Sequence, residues 1–406
     1  MDQRNKLRFL PWAAALVVVG VLAALFVLQA RSRTSVLITS IEADVPRVGD
    51  QVSVGFRVMS GQDDFTVVVL PDTQYYSEKY PEIYAAQVQW ILDNAGALNI
   101  VFVSHLGDIV QNDDLDETEW QTADAFMRRL DDAAIPYGVL PGNHDMQADG
   151  TAIFYEKYFP ASRYAARDWY GGSFSGNKNN YQLFSAGGDD YIIFHMQYCP
   201  TSGAIEWANE ILGEYPDRRA IVSTHAYLTD NGERLMHCKE KSDGTVTANQ
   251  MWHRLVERNP NVFLVLAGHV PGAIRRADVV DGRTVHQLLS DYQAMENGGN
   301  GYLRIMSFQP RRDLIQVSTF SPYLNEFMED PENQFELSFD MTGGGAPTGS
   351  VKISNGADRC SAAVEQGRCE LILTSDGELT FSAVYSGDAR HLGASSAAVR
   401  IFVAER

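Results

Sequence analysis

The sequence predicts an α/β fold for the body of the chain, with a small all-β sandwich and an N-terminal transmembrane helix attached to it. Three observations carry that reading. From about residue 65 to about residue 340, short apolar runs alternate with stretches whose apolar residues recur at helical spacing. From 349 to 403 the pattern becomes short alternating runs separated by Gly, Asp and Ser. A long apolar stretch opens the chain.

The apolar runs of the α/β region share one grammar. Residues 66–70 end in Pro71, Asp72, Thr73 and Gln74, and 100–106 end in Gly107 and Asp108. Residues 137–140 lead to Gly142, Asn143, His144 and Asp145; 220–224 end at His225, and 262–267 at Gly268 and His269. Each run delivers a potential ligand at its carboxyl end. In α/β sheets that edge is where sites form, because loops converge there while the strands hold them rigidly. Between the runs, Pro81 suits a first helical position, and Ile83, Ala86, Trp90 and Ile91 make one apolar face. Trp120, Ala123, Met127 and Leu130 repeat the pattern, followed by Ile205, Ile211 and Leu212 and then by Met251, Trp252, Leu255 and Val256. These stripes read as core that covers the sheets.

The tetrapeptide 142–145 is the most telling of the strand ends. An Asn amide oxygen is a poor ligand alone, but beside carboxylates and imidazoles it completes the mixed nitrogen and oxygen shell that Mn, Fe or Zn accepts. Gly-Asn on its own also reads as a turn. Ligand types recurring at the other strand ends favour the metal site.

Asp72 with Gln74, Gly107 with Asp108, Gly142 to Asp145, His225, and Gly268 with His269 stand in a particular order and spacing. In both, residues from about 65 to about 340 resemble the calcineurin-like metallophosphoesterase superfamily. The resemblance implies a four-layer αββα sandwich, two β-sheets flanked by helices, with a dinuclear metal centre at the strand ends. It implies that Asp108 bridges two metals and that Asn143, His225 and His269 complete the second site. Asp72 and Gln74 would belong to the first site, and His144 would be the acid near the leaving group. The implied cofactors are one or two divalent or trivalent metal ions, Mn, Fe or Zn. Such ions neutralise the anionic oxygens of a phosphoester and supply hydroxide near neutral pH, the two things its hydrolysis needs.

Two positions depart from the superfamily pattern. Gln74 stands where a His is usual, although its amide oxygen can coordinate. Gly268, His269, Val270 and Pro271 replace the usual Gly-His-x-His, and proline has no ligand atom. The first site is left with two carboxylates and an amide, which suits a hard, weakly held ion or none.

Other residues carry weaker signals. His105 and His195 lie inside apolar runs and read as core or sheet-facing, and His237, His253, His286 and His391 as surface residues. The acidic run of Asp113, Asp114, Asp116, Glu117 and Glu119 reads as a solvated loop leading to a helix. Tyr75 and Tyr76 follow Gln74 and would form a pocket wall, and 297–301 reads as a flexible loop after Asp291, Tyr292 and Gln293. Arg275 and Arg276 read as solvent-facing.

Arg4, Lys6 and Arg8 precede the apolar stretch 10–28, which Arg31 and Arg33 follow. At ~1.5 Å per residue such a stretch can span a hydrocarbon core. An uncleaved anchor over 1–34, basic end facing the cytoplasm, is expected ahead of a cleaved signal peptide, because Leu28 and Ala30 make a weak cleavage site. The catalytic region is then extracytoplasmic. The net charge of −19 opposes non-specific nucleic-acid binding. The four cysteines fall into two pairs, Cys199 with Cys238 and Cys360 with Cys369, which could bridge in an oxidising compartment or remain reduced.

The alternating runs from 349 to 403 carry a β-sandwich signature. Tyr385, Ser386, Gly387 and Asp388 resemble a point in bacterial immunoglobulin-like repeats. Too few strands lie there for a seven-stranded sandwich, and 36–42 with 51–58 look like the missing opening pair. The expected organisation is a discontinuous immunoglobulin-like domain, 35–61 plus 342–404, with the metallophosphoesterase domain, 62–341, inserted between. Val52, Val54 and Phe56 form one alternating face, expected to pack against Leu371, Phe381 and Val384. The expected activity is metal-dependent hydrolysis of phosphomonoesters or phosphodiesters, of a small molecule or of the cell envelope. The alternative is a metal-binding or ligand-binding module with weak or no catalysis, motivated by Gln74 and Pro271.

Overall fold

Successive residues of a strand point to opposite faces, and the Phe65–Leu70 strand buries both. In the computed structural model Val67 and Val69 belong to one buried cluster, and Val68 and Leu70 to another. Ile221 and Val222, and Leu264 and Val265, split in the same way on a second sheet. These strands therefore sit between two apolar layers each.

The structure describes residues 34–42, 46–60, 64–113, 117–238, 244–341, 347–388 and 393–405. The anchor expected over 1–34 lies outside them but for its last residue, and Asp114, Asp116 and His391 lie outside them too. Among the described residues no helix is long and apolar enough to cross a membrane. The chain divides into two units, one spanning 62–343 and the other made of the two ends, up to 61 and from 344.

The larger unit has two seven-stranded sheets. In one, the order is Gly272–Val280, Arg283–Asp291, Val262–Gly268, Arg219–Ala226, Asp189–Met196, Asn179–Ala186 and Tyr170–Phe174. Its middle strands are parallel. In the other, Glu326–Met328, Leu314–Ser321, Leu303–Gln309, Phe65–Leu70, Ile100–His105 and Tyr137–Gly138 follow one another, and Gln334–Ser338 also pairs with Leu314–Ser321. The last three strands of that path are parallel. Phe102, Met306 and Phe308 of this sheet meet Ile193, Ile221 and Leu264 of the first in a shared core.

Helices close the outer faces. Pro81–Asn94 begins with proline, whose fixed φ and missing N–H suit a first turn, and buries Ile83, Val88 and Ile91. Thr118–Asp132 buries Trp120, Ala123, Met127 and Leu130 against the same sheet. On the opposite side, Ser202–Glu214 is capped by the Thr201 hydroxyl accepting from the Ala204 N–H, and it buries Ala204, Ile205, Ala208 and Leu212. The unit is thus helix, sheet, sheet, helix. Cys199 and Cys238 form a disulfide within it.

In the smaller unit the two chain ends build two sheets over one core. Thr34–Glu42, Gln51–Ser60 and Arg368–Ile372 make a three-stranded sheet, with Val54 opposite Cys369 and Val52 opposite Leu371. Ser350–Ser354 and Gly377–Tyr385 anchor a five-stranded sheet. Val52, Val54 and Phe56 share a buried cluster with Leu371 and Phe381. Val384 does not join it, being 47% exposed. Phe381, Ala383 and Tyr385 are buried, so Val384 is out of phase by one residue, and in a period of two that reverses the face. Cys360 and Cys369 bridge the two sheets.

Candidate metal centre

His225, at the end of its strand, is the hub of the site. Its Nδ1 lies 2.9 Å from the Leu106 carbonyl oxygen, which can only accept, so Nδ1 donates and Nε2 presents its lone pair. That Nε2 stands 3.2 Å from Asp108 Oδ2, 3.1 Å from Asn143 Oδ1 and 3.2 Å from His269 Nδ1. The ligand atoms of Asp108, His225 and His269 all lie within 4.8 Å of one another. Bonds of about 2 Å to one tetrahedral centre would set donors roughly 3.3 Å apart, close to the spacing found. Carboxylate, amide and imidazole are a donor set that a transition metal accepts.

Asp72 and Gln74 border this group. Asp72 Oδ2 accepts the His269 N–H at 3.2 Å, while its Oδ1 is buried and accepts no hydrogen bond among the described residues. Gln74 Nε2 donates to Gln111 Oε1 at 2.5 Å, and its Oε1 is likewise buried without a donor. Orphaned buried acceptors are costly unless something cationic meets them. Both atoms fit a metal's needs. Pro271 is exposed and offers nothing.

Two glycines of the motifs, Gly142 and Gly268, are there because carboxylates come too close for a side chain. A Cβ on Gly142 would stand 2.0 Å from Asp108 Oδ1, and one on Gly268 2.2 Å from Asp72 Oδ1. Asp108 and His269 themselves adopt left-handed backbone, φ 49° and 73°. Strained non-glycine residues of this kind concentrate at functional sites.

The electrostatics follow from the crowding. Burial pushes the Asp108 carboxyl up, but His225, and after it His144, hold it below its ordinary value. Burial would lower His225, and Asp108 outweighs that and raises it. Asp72 is pushed well up by burial and then by the charges of Asp291 and Asp108. A cation would reverse this penalty.

His144 is placed by two contacts. Its backbone N–H donates to Asp108 Oδ1 at 2.9 Å, and its Nδ1 lies 2.9 Å from the Gln111 carbonyl oxygen. Nδ1 therefore donates, and Nε2 is left to exchange a proton. It is half-buried, as is Asn143.

Several contributors were not legible as such in the sequence. Asp145 accepts the N–H groups of Gly142, Ile109 and Val110 at 2.8, 3.0 and 3.0 Å, tying the Asn143 loop to the Asp108 loop. Burial, and then the Asp108 charge, push its carboxyl up to about 7 against those three donors. Glu119, assigned to a solvated acidic run, accepts the N–H groups of Gln111 and Asn112 at 2.7 and 3.1 Å and so holds the loop that carries the His144 contact. Tyr198 follows the strand Asp189–Met196 and sets its ring 5.2 Å from that of His269. Its signal was the same strand-end grammar. Asp291, ending the strand Arg283–Asp291, is 1% exposed.

Other sequence expectations are corrected or placed. His286 is not a surface residue: it is 7% exposed, with Nε2 3.0 Å from the Ser338 carbonyl oxygen. His237 and His253 are exposed. His195 is buried between Ser104, at 3.0 Å, and Gln182, at 2.8 Å, and His105 lies 2.9 Å from the Thr73 hydroxyl. The 297–301 loop is pinned rather than free, because the Gly301 N–H donates to the Tyr76 hydroxyl at 2.9 Å. A cavity of about 600 Å³ lined by Asp189, Arg219 and Arg283 lies at the amino ends of strands and contains none of the site residues.

Residues 65–273 match the family model for the calcineurin-like phosphoesterases, and the match spans half of the chain. The chain belongs to that family. The family points to a metal-dependent hydrolase, and Asp108, His225 and His269 form a candidate site for its ion. The uncharacterized protein YvnB of Bacillus subtilis (strain 168) is 40% identical over 304 residues, which cover 71% of this chain and 23% of that protein. This chain therefore spans less than a quarter of that relative's length. Among solved structures, a dimetal phosphatase from Danio rerio aligns at 11% identity with a TM-score of 0.44, covering 68% of this chain and 99% of that one. A purple acid phosphatase from yellow lupin (Lupinus luteus) aligns at 12% identity with the same TM-score, 0.44, covering 71% and 59%.

Proposed function

We propose that this chain is a membrane-anchored, extracytoplasmic phosphoesterase that hydrolyses phosphomonoesters or phosphodiesters, of small molecules or of the cell envelope, by a metal-activated water. The observation that carries the reading is the convergence of Asp108, Asn143, His225 and His269 on one point, with the orphaned Asp72 Oδ1 and Gln74 Oε1 beside it. A metal ion held there supplies charge neutralisation at the phosphate and a hydroxide near neutral pH. The protein's own part is placement. Asp145 and Glu119 fix the loops, His225 is oriented by the Leu106 carbonyl, and His144 stands with Nε2 free to protonate a leaving oxygen.

The apolar stretch 10–28 with its flanking cations supports the anchor, and the two cysteine pairs, both bridged, agree with an oxidising compartment. The unit built from the chain ends reads as an immunoglobulin-like spacer. Pro271 favours a second reading, a metal- or ligand-binding module with little turnover. An assay of the metal-loaded protein on an aryl phosphate and an aryl phosphodiester decides between them: turnover of either supports the esterase, and none with any divalent metal leaves the binding module.

A further inference from the structure

We propose that Asp291 completes the first metal site in place of the ligand lost at Pro271, making it an all-oxygen site for a hard divalent cation. The inference rests on the reading of Asp72 and Gln74 as metal ligands.

The sheet register brings Asp291 to the site. Its strand runs parallel to Val262–Gly268 with Leu289 opposite Ala267, so two residues further on Asp291 is level with His269. Gln293 links the two, its Nε2 lying 2.9 Å from Asp291 Oδ2 and 3.5 Å from the His269 carbonyl oxygen. At the end of the strand Val262–Gly268, Gly268 lies against Asp72 Oδ1. Asp291 also lines a recess of about 330 Å³ with Pro271, Ala273, Met295 and Asn333, so it stands beside the position where the superfamily's histidine is replaced.

Burial gives the physical reason. Asp72, Asp108 and Asp291 are 3%, 1% and 1% exposed, and among the described residues no Lys or Arg pairs with any of them. Among the described residues the Asp291 carboxylate accepts hydrogen bonds from its own turn, from the N–H and the amide of Gln293. Buried carboxylates without cations are expensive, and the orphaned Asp72 Oδ1 and Gln74 Oε1 mark where a positive charge is missing. Three carboxylates and an amide hold only oxygen. Such a shell suits Mn²⁺ or Mg²⁺, whereas the His225 and His269 site, with nitrogen donors, favours Zn²⁺ or Fe. The two sites therefore differ in metal preference, and Asp291 is what sets the difference.

The test counts bound metal on the full chain, stripped and then titrated with Zn²⁺ followed by Mn²⁺, with Mn²⁺ read by electron paramagnetic resonance. The wild type should bind one Zn²⁺ tightly and then one Mn²⁺ more weakly. Asp291→Asn keeps the size and an acceptor for Gln293, and should weaken Mn²⁺ by at least about tenfold. The tight Zn²⁺ should change by less than about twofold. Adding Pro271→His to that variant should restore the second ion and move its preference towards Zn²⁺. Unchanged Mn²⁺ affinity in Asp291→Asn overturns the proposal, as does a wild-type Asp72 and Gln74 site that prefers Zn²⁺ over Mn²⁺ as strongly as the His225 and His269 site does. Should Asp291→Asn lose both ions, Asp291→Glu decides: Mn²⁺ bound again supports the assignment, and Mn²⁺ still absent overturns it. Because the readout is bound metal, a wild type that hydrolyses nothing would remove the esterase reading and leave this one standing.

Discussion

A Cβ added to Gly142 would stand 2.0 Å from Asp108 Oδ1, so the loop that carries Asn143 and the carboxylate beneath it are fitted with no room between them. Gly142→Ala must displace Asp108 or the loop. The expected result is loss of the tightly bound ion with the fold retained, read as metal content by elemental analysis beside an unchanged circular dichroism spectrum. Retention of the ion would mean that the loop yields without moving its ligands.

The unequal donor sets predict unequal affinities. Purified protein should keep about one tightly held transition metal, at Asp108, Asn143, His225 and His269, with a second ion weaker. Asn143→Ala should release the tight ion. Two equally tight ions in the wild type would contradict the assignment of donors.

His144 offers a kinetic prediction. An acid matters most when the leaving oxygen is basic, so His144→Ala should lower turnover of alkyl phosphoesters by about 10²–10⁴-fold and that of activated aryl esters far less. Equal losses on both would remove His144 from proton transfer.

The smaller unit yields a stability prediction. Leu371 and Phe381 share a core with Val52 and Val54 although more than three hundred residues separate them along the chain. Leu371→Ala should cost ~2–5 kcal/mol in the unfolding of that unit. Deleting 35–61 should abolish its cooperative transition, while metal binding survives. A fragment from 344 onward that melts cooperatively alone would contradict the shared core.

Much of this was legible because strand ends announce themselves. The ligand-bearing runs at Asp72, Asn143 and His269 are apolar up to the edge of the sheet, those at Asp108 and His225 open on three or four apolar residues, and a polar residue at the edge then stands out. Asp291 was hidden because its strand has no opening apolar run: Arg283 and Thr284 begin it and His286 and Gln287 interrupt it, the first meeting the Ser338 carbonyl and the second donating to Asp278 at 2.7 Å. Glu119 was hidden in a charge run, which along the chain reads as a solvated face. Val384 was misplaced because in a strand a single residue's phase decides inside from outside. The role of Asp145 depends on donors from three positions in two loops, and no pattern along the chain reports that.

The measurement that tests the central claim most directly is turnover of an aryl phosphate and an aryl phosphodiester by the full chain before chelation, after it, and after returning Mn²⁺ or Zn²⁺, with Asn143→Ala run in parallel and bound metal counted at each stage. The account predicts hydrolysis that disappears with the metal, returns with it in the wild type, and fails to return in Asn143→Ala. Hydrolysis that survives complete removal of the metal, or a fully loaded wild type that hydrolyses neither ester, would contradict it.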